Sequence, residues 1–284
     1  MVRASVPDRH RSGDSPGARN PIASRREHRA VSRFARRFAD EIDPQRRSAI
    51  VLAGSWARGD AREVSDIDLW VIGRKQGDVI LERDGRQVSV RYSTVAGDRR
   101  AMRTPARLGG AVPGWCTAKI LRDPNGSAAR LRTEARSFRW RSVRRDCDAY
   151  IADQLVGWAQ HVAKILRAME TGERETAAVQ RGLIANRMAL LRSLDLEYLW
   201  ETENGLWERV GKRAGPAFRR AQRAALGIHG ESWRASCEAA LHLYALTARA
   251  NLSLLRGDNR KIVEEACRRA GYPIGRPRER GTTP

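Results

Sequence analysis

Two aspartates, Asp66 and Asp68, stand one residue apart in an apolar stretch that the sequence predicts to be a strand over residues 66–72. Residues i and i+2 of a strand point to the same side, so both carboxylates would project together while the intervening Ile67 enters the core. Burying two like charges is costly unless something positive lies between them. Oxygen ligands that converge on one point suit a hard divalent cation such as Mg²⁺, so the pair predicts a metal site.

A turn just upstream of the pair offers the complementary chemistry. Residues 54–59 read Gly-Ser-Trp-Ala-Arg-Gly and follow a short apolar strand. Gly54 lets the backbone approach a phosphate closely, and Ser55 offers a hydroxyl and a backbone amide at the start of a short helix. Arg58 either binds phosphate as well or braces the loop against Asp60. A phosphate-holding turn beside a metal pair describes nucleotidyl transfer, in which metal ions orient and neutralise a triphosphate while a nucleophile attacks in line.

This arrangement, Gly54-Ser55, ten residues, then Asp66-x-Asp68 inside an apolar strand, resembles the nucleotidyltransferase superfamily of DNA polymerase β. The fuller string GSWARGDAREVSDIDLWVI is similar to the version in minimal nucleotidyltransferases and in aminoglycoside, kanamycin-type nucleotidyltransferases. The resemblance implies that Gly54 and Ser55 hold a nucleotide phosphate, that Asp66 and Asp68 bind Mg²⁺, and that an adenylyl group moves from ATP to a hydroxyl.

The resemblance also implies a third metal carboxylate on a later strand, and the sequence departs from it there. The corresponding segment, residues 88–92, holds Ser89 at that position, and Arg91 shares its face. Three alternatives follow: Glu82 on the partner strand reaches the metal, Arg91 holds a phosphate in place of a second Mg²⁺, or the site binds nucleotide weakly and is not catalytic. For Arg91, a cross-strand ion pair with Asp78 is a further alternative.

Attack by a hydroxyl acceptor is faster when a general base takes the proton of the hydroxyl. In the aminoglycoside enzymes a carboxylate on the first helix of the C-terminal domain can take that role, and Asp153 is the matching acid here. Asp146 and Asp148 form an acidic string with it, or they simply favour a helix N-terminus. Four tryptophans are candidates for stacking on a base, although core packing is the commoner role of such residues: Trp115, Trp158, Trp200 and Trp207.

The pattern of the whole chain predicts an α+β fold. It consists of a disordered basic tail at 1–23, a nucleotidyltransferase α/β domain with a small mixed sheet at 24–125, a C-terminal α-helical bundle that binds substrate at 126–272, and a disordered tail at 273–284. Within the first domain, Ser24 and Glu27 form a capping box for a helix that runs to Ile42. Asp84-Gly85 marks a hairpin, and residues 108–114 read as a loop-rich stretch.

The composition indicates which kinds of partner and which cellular setting to expect. The formal net charge is +21, and 49 of the 54 basic residues are arginine. Such a charge attracts polyanions, so RNA is a possible partner. A general preference for arginine over lysine explains the charge better, because the arginines are spread along the chain without interleaved aromatic residues. The longest apolar run falls short of a membrane span, and the cysteines lack the spacing of a disulfide framework or a zinc site. A cytoplasmic protein is expected.

Together these features predict an Mg²⁺-dependent nucleotidyltransferase that moves a nucleoside monophosphate, AMP from ATP, to a hydroxyl of a small molecule, a protein or an RNA. The alternative is a catalytically impaired relative that acts as a binding or antitoxin-like regulatory protein.

Overall fold

A computed structural model describes residues 22–73 and 76–274, and this part of the chain contains five strands in one mixed sheet. The strands are β1 (Ala49–Leu52), β2 (Ile67–Ile72), β3 (Gly77–Arg83), β4 (Arg86–Ser93) and β5 (Lys119–Arg122). Their spatial order is β3-β4-β2-β1-β5. β2 and β4 run parallel, and the other neighbouring strands run antiparallel. This arrangement confirms the predicted α+β class with a small mixed sheet.

Helix α1 (Arg25–Ile42) covers one face of the sheet. It begins at the predicted capping box, in which the Ser24 hydroxyl accepts from the Glu27 backbone N–H and the Glu27 carboxylate accepts from the Ser24 backbone N–H. Its apolar side then packs on the buried residues of that face. The contributing residues of the helix are Val31, Phe34, Ala35, Phe38 and Ala39, and those of the strands include Ile50, Leu52, Ile67, Leu69, Val88 and Val90.

The opposite face is covered in part by α4 (Pro105–Thr117) and α5 (Ser127–Arg136), and α3 (Val95–Ala101) lies beside them. The prediction of a loop-rich stretch at residues 108–114 is wrong, because those residues lie inside α4. Its glycines allow aromatic rings to contact the helix backbone. A Cβ on Gly109 would lie 1.7 Å from the ring of Trp200, and one on Gly114 would lie 2.7 Å from the ring of Trp70.

The hairpin formed by β3 and β4 turns at Asp84-Gly85, as predicted. Both residues have positive φ, +51° and +70°, as a two-residue hairpin turn of this kind requires. All seven residues of β3 are exposed, since β3 is an edge strand.

The second half of the chain is helical, as predicted. Its helices are α6 (Arg144–Thr171), α7 (Arg174–Asp195), α8 (Leu206–Ala214), α9 (Pro216–Ala225), α10 (Trp233–Ala250) and α11 (Gly257–Arg269). They share one hydrophobic core, in which the buried Tyr244 hydroxyl donates to the backbone oxygen of Leu155 across 2.7 Å. Leu108 of α4 also belongs to this core, so α4 contacts both halves.

The hydrophobic core on this side of the sheet includes residues after 125, the position where the sequence places the domain boundary. α5 buries Ala128, Leu131 and Ala135 with the strand residue Val51. The predicted tails lie outside the described residues, apart from residues 22–23 and 273–274. None of the described helices combines the length and the apolarity that crossing a membrane requires.

Candidate active site

The backbone turn between β1 and the short helix α2 (Gly54–Arg58) lies directly against Asp68. The Ala53 N–H donates to the backbone oxygen of Asp68 across 2.9 Å, which ties the end of β1 to β2. Gly54 has a φ of +62°, in the left-handed region that favours glycine. A Cβ built on Gly54 would lie 1.8 Å from Oδ2 of Asp68. The structure therefore brings the predicted turn and one predicted metal ligand together, and a side chain at position 54 would not fit between them.

Asp66 comes immediately before β2, and a buried tryptophan anchors its segment. The Trp56 side chain of α2 donates its Nε1–H to the backbone oxygen of Ser65 across 3.2 Å. Ile67, between the two aspartates, is fully buried, as the alternation predicts. Both aspartates are half-buried.

The electrostatics of Asp68 are those of a site that favours a cation. Its pKa is raised to about 6, first by burial and then by the charge of Asp66, while Arg58 and Arg91 oppose the rise. Among the residues that the structure describes, neither aspartate side chain takes part in an ion pair or a hydrogen bond. A cation beside the pair would remove the cause of the repulsion and favour the charged form of Asp68.

Arg58 braces the turn and connects it with the helical half. Its Nε and Nη2 atoms lie 3.3 and 3.2 Å from the two carboxylate oxygens of Asp60, which is one of the two predicted roles. Its Nη1 donates to the backbone oxygen of Glu201 across 3.0 Å. The side chain is 14% exposed, and its charge lowers the pKa of Asp68. Arg58 thus places a fixed positive charge near the aspartates while its own partner is a different acid.

Arg91 forms a buried cluster of its own. The register places it opposite Asp78, as predicted, but its ion-pair partner is Asp98 of α3 at 2.8 Å rather than Asp78. Asp98 is 2% exposed and also accepts from the Ser93 hydroxyl across 2.6 Å. The guanidinium lies 3.9 Å from the ring centroid of Trp70, its neighbour on β2. Burial lowers the pKa of Arg91 and the carboxylate of Asp98 opposes this effect.

Ser89 occupies the position that the resemblance assigns to a third carboxylate. The parallel register of β2 and β4 pairs Ser89 directly with Asp68, and the hairpin register pairs it with Ile80 on the other side. The register therefore places a hydroxyl beside Asp68, at the position where the resemblance implies a third carboxylate.

Glu82 is the predicted substitute for the missing carboxylate. Glu82 lies on the exposed edge strand β3, where the hairpin register pairs it with Gln87 of β4. β4 separates β3 from β2, which carries the aspartates. Within residues 22–73 and 76–274, no group of three or more His, Cys, Asp or Glu residues could hold a metal ion. The hairpin carries Glu82 to the edge of the sheet, and its role as a metal ligand stays a prediction.

The predicted base and tryptophans lie elsewhere. Asp153 is exposed on α6, where its carboxylate accepts from Gln154, and Asp148 pairs with Arg144 at 2.9 Å. None of these contacts connects Asp153 with the sheet, so its role stays a prediction. The buried Trp115 and Trp200 serve core packing.

The sequence did not predict four groups that lie near Asp68, Arg58 and Arg91. They are the Trp70 ring, the Asp98 carboxylate, the Glu201 backbone oxygen and the Lys119 ammonium. The Lys119 ammonium donates to the backbone oxygen of Trp56 across 3.2 Å. Each acts through a contact between elements distant in the chain or through a backbone atom. No local motif signals such contacts.

Comparison with known proteins agrees with the geometry. Residues 32–95 match a family model for the nucleotidyltransferase domain, and this segment contains the turn, both aspartates and the hairpin. No curated protein matches the sequence. Among solved structures, a nucleotidyltransferase-like protein from Exiguobacterium sibiricum 255-15 has a TM-score of 0.52 at 15% identity, over 84% of this chain and 80% of that chain. That likeness concerns the fold. Residues 32–95 thus match the nucleotidyltransferase domain, and a helical region follows the sheet.

Proposed function

We propose that this protein is an Mg²⁺-dependent nucleotidyltransferase that moves a nucleoside monophosphate, AMP from ATP in the simplest case, to a hydroxyl of a small molecule, a protein or an RNA. The observation that carries the proposal is the contact of the Gly54 backbone with the Asp68 carboxylate, beside a second unpaired carboxylate. A phosphate held by the turn would lie next to the aspartates without any rearrangement of the sheet.

The two aspartates fit Mg²⁺. The ion is commonly bound by one or two carboxylates together with substrate phosphates and waters, so a pair suffices. The raised pKa of Asp68 supports this assignment, because a nearby cation would favour its charged form. When bound, Mg²⁺ supplies charge neutralisation of the triphosphate.

The chain's own groups would supply positioning and fixed charge. Gly54 and Ser55 would hold phosphate oxygens through the backbone and the serine hydroxyl. Arg58 and Arg91 already act on Asp68 electrostatically, so they would contribute positive charge on the same side of the sheet.

Asp153 is the proposed general base for the acceptor hydroxyl. Its exposure on α6 leaves its carboxylate accessible to a bound acceptor. The Asp153→Asn variant should lower the transfer rate and leave nucleotide affinity unchanged. An unchanged rate would remove Asp153 from the mechanism.

The proposal is tested with purified protein, Mg²⁺, a panel of hydroxyl acceptors and each of the four α-labelled nucleoside triphosphates. Wild type should transfer label, and the Asp66→Asn/Asp68→Asn double variant should not. Asp84→Asn is the matched control, because it removes a carboxylate from the exposed hairpin turn and should keep the activity. Nucleotide binding measured by calorimetry gives a readout that needs no acceptor. Absence of both Mg²⁺-dependent binding and transfer in wild type would overturn the proposal.

The position of Ser89 favours a second candidate function, a catalytically impaired nucleotide-binding or antitoxin-like regulatory protein. Its register with Asp68 means that a single substitution would complete the three-carboxylate site. If the second candidate is right, wild type binds nucleotide without transfer, and Ser89→Asp gains transfer while the uncharged Ser89→Asn does not. Transfer by wild type on any acceptor would contradict this candidate.

A further inference from the structure

A cationic cavity lies in the helical half, between α8, α9 and the loop that follows α9. Its volume is about 680 Å³. Its charged lining residues are Lys212, Arg219, Arg220, Arg223 and Glu231, so cations outnumber acids by four to one. Lys212 is held by Glu208 at 2.7 Å. The guanidinium groups of Arg219 and Arg220 have no ion pair or hydrogen bond with any residue that the structure describes. We refer to this space as the arginine cavity.

The loop after α9 fixes one guanidinium in the arginine cavity. Nε of Arg223 donates to Nε2 of His229 across 3.1 Å, and the backbone N–H of His229 donates to the Glu231 carboxylate across 3.1 Å. The imidazole accepts at Nε2, which requires its neutral form. The two terminal nitrogens of Arg223 remain without a partner among the described residues. This side chain is therefore oriented in advance while its strongest donors stay available.

A smaller, partly apolar cavity adjoins the arginine cavity. Its volume is about 200 Å³, and it shares Arg219 and Arg223 as walls. Trp207, Leu226 and Ile228 also line it. Leu226 and Ile228 are 37% and 51% exposed, so this patch presents apolar surface to solvent.

Two residues that line the smaller cavity carry a buried donor without an acceptor. Nε1 of Trp207 and Nε2 of Gln222 are both inaccessible and unpaired among the described residues. The Gln222 residue is 3% exposed. Buried donors nearly always have partners, so two exceptions at one cavity point to a ligand that brings acceptors.

We infer that the two cavities form one binding site for a nucleotide unit, with phosphate in the arginine cavity and the base in the smaller one. Guanidinium groups bind phosphate oxygens in bidentate geometry. A heteroaromatic base presents both a flat apolar face and acceptor atoms, which matches a partly apolar cavity whose walls carry buried, unpaired N–H groups. A free nucleotide and an RNA strand share this chemistry. The site has no residue in common with the Asp66–Asp68 pair, so the inference does not rest on nucleotidyl transfer.

The first test measures binding of 5′-AMP and of a labelled single-stranded RNA octamer to the full chain, in EDTA so that a Mg²⁺-dependent site stays silent. Arg219→Gln/Arg223→Gln should weaken RNA binding at least about tenfold. It should also reduce the slope of log affinity against log salt by about 1.4, since each phosphate contact on a single strand contributes about 0.7. The charge-matched control is Arg141→Gln/Arg145→Gln, which removes two exposed arginines outside both cavities. Equal losses in the two double variants would overturn the inference, because general basicity would then explain the binding.

The second test uses Gln222→Leu, which removes one unpaired donor. Loss of an unsatisfied buried amide should leave the melting temperature unchanged or raise it. The same variant should weaken binding of the nucleotide unit about tenfold. Unchanged affinity, or failure of wild type to bind either probe at about 50 mM salt, would overturn the inference. If AMP binding is weakened by both variants, a free nucleotide is sufficient to occupy the site. If only the RNA octamer binds, the ligand is an RNA strand. Asp66→Asn/Asp68→Asn should bind as wild type does.

Discussion

The aspartate face, formed by Asp66 and Asp68, and the arginine cavity are opposite in charge, yet each holds like charges without described ion-pair partners. The two clusters of unpaired charges are not equally strong evidence for a bound ligand. The chain has 54 basic and 33 acidic residues, so an unpaired arginine is expected in places, whereas an unpaired pair of aspartates is not. The aspartate face therefore indicates a ligand by itself. The arginine cavity needed the orphaned donors of Trp207 and Gln222 before it indicated one.

The largest expected effect comes from the glycine beneath the aspartate face. Gly54→Ala adds a Cβ that would lie 1.8 Å from the Asp68 carboxylate, at a left-handed φ. Displacement of the turn should lower the transfer rate and Mg²⁺-dependent nucleotide affinity about 100-fold. Kinetics and calorimetry on the purified variant measure both.

Gly59→Ala is the matched control for that variant. Gly59 has a φ of +95°, and a Cβ there would meet nothing within 4 Å. It should lose stability by about 1 kcal/mol through backbone strain and keep its nucleotide affinity. Equal loss of affinity in both variants would show that backbone strain, rather than the contact with Asp68, controls the site. The arginine cavity should bind RNA normally in either variant.

The pH dependence of ligand binding should differ between the two sites. Since Asp68 has a pKa of about 6, its charged fraction, and with it Mg²⁺ affinity, should fall about tenfold from pH 7 to pH 5. RNA binding at the arginine cavity should not share this tenfold loss, because guanidinium groups stay charged over the whole range. An equal loss of Mg²⁺ affinity and RNA affinity at low pH would contradict the assignment of the aspartates and the arginines to separate ligands. Titration calorimetry with Mg²⁺ and anisotropy with RNA give the two curves.

Stability of the metal-free protein offers a smaller effect at the same residue. The pKa of Asp68 in the folded state lies above its ordinary value of 3.8, so this group favours folding at low pH and loses that contribution as pH rises through about 6. Asp68→Asn should therefore melt a few degrees higher than wild type at pH 7, at about 2–4 °C per kcal/mol. Mg²⁺ should raise the melting temperature of wild type alone. A lower melting temperature for the variant without metal would show that the carboxylate is stabilising and has a partner.

The sequence predicted most of the aspartate face because its parts lie within 15 residues and each has a local signal. Gly54, Asp66 and Asp68 follow from a turn motif and strand alternation, whereas the place of Ser89 beside Asp68 is implied by the family resemblance. The arginine cavity has no such signal, since arginines occur throughout the chain and only the packing of α8 against α9 selects those that line it.

The wrong prediction for residues 108–114 and the unsettled role of Glu82 both depend on how distant elements are arranged. Glycines in α4 read as loop residues, but Gly109 and Gly114 make room for tryptophan rings from other elements. Glu82 read as a metal ligand because it shares a hairpin face with Ser89. The order of the strands, which the hairpin pattern does not fix, places it at the edge of the sheet.

The smallest expected effect concerns the arginines that act on Asp68 from the side. Arg58 and Arg91 both lower its pKa, and Arg58 has the larger influence. Arg58→Gln should therefore raise the pH midpoint of Mg²⁺ binding by about half a unit, and Arg91→Gln should raise it by less. Arg83→Gln, which removes an exposed arginine paired with Glu41, should leave the midpoint unchanged. If Arg58→Gln and Arg83→Gln gave the same midpoint, the positive charge of the turn would have no role at the aspartates. Arg58 would then serve only to hold Asp60 and the Glu201 backbone in place.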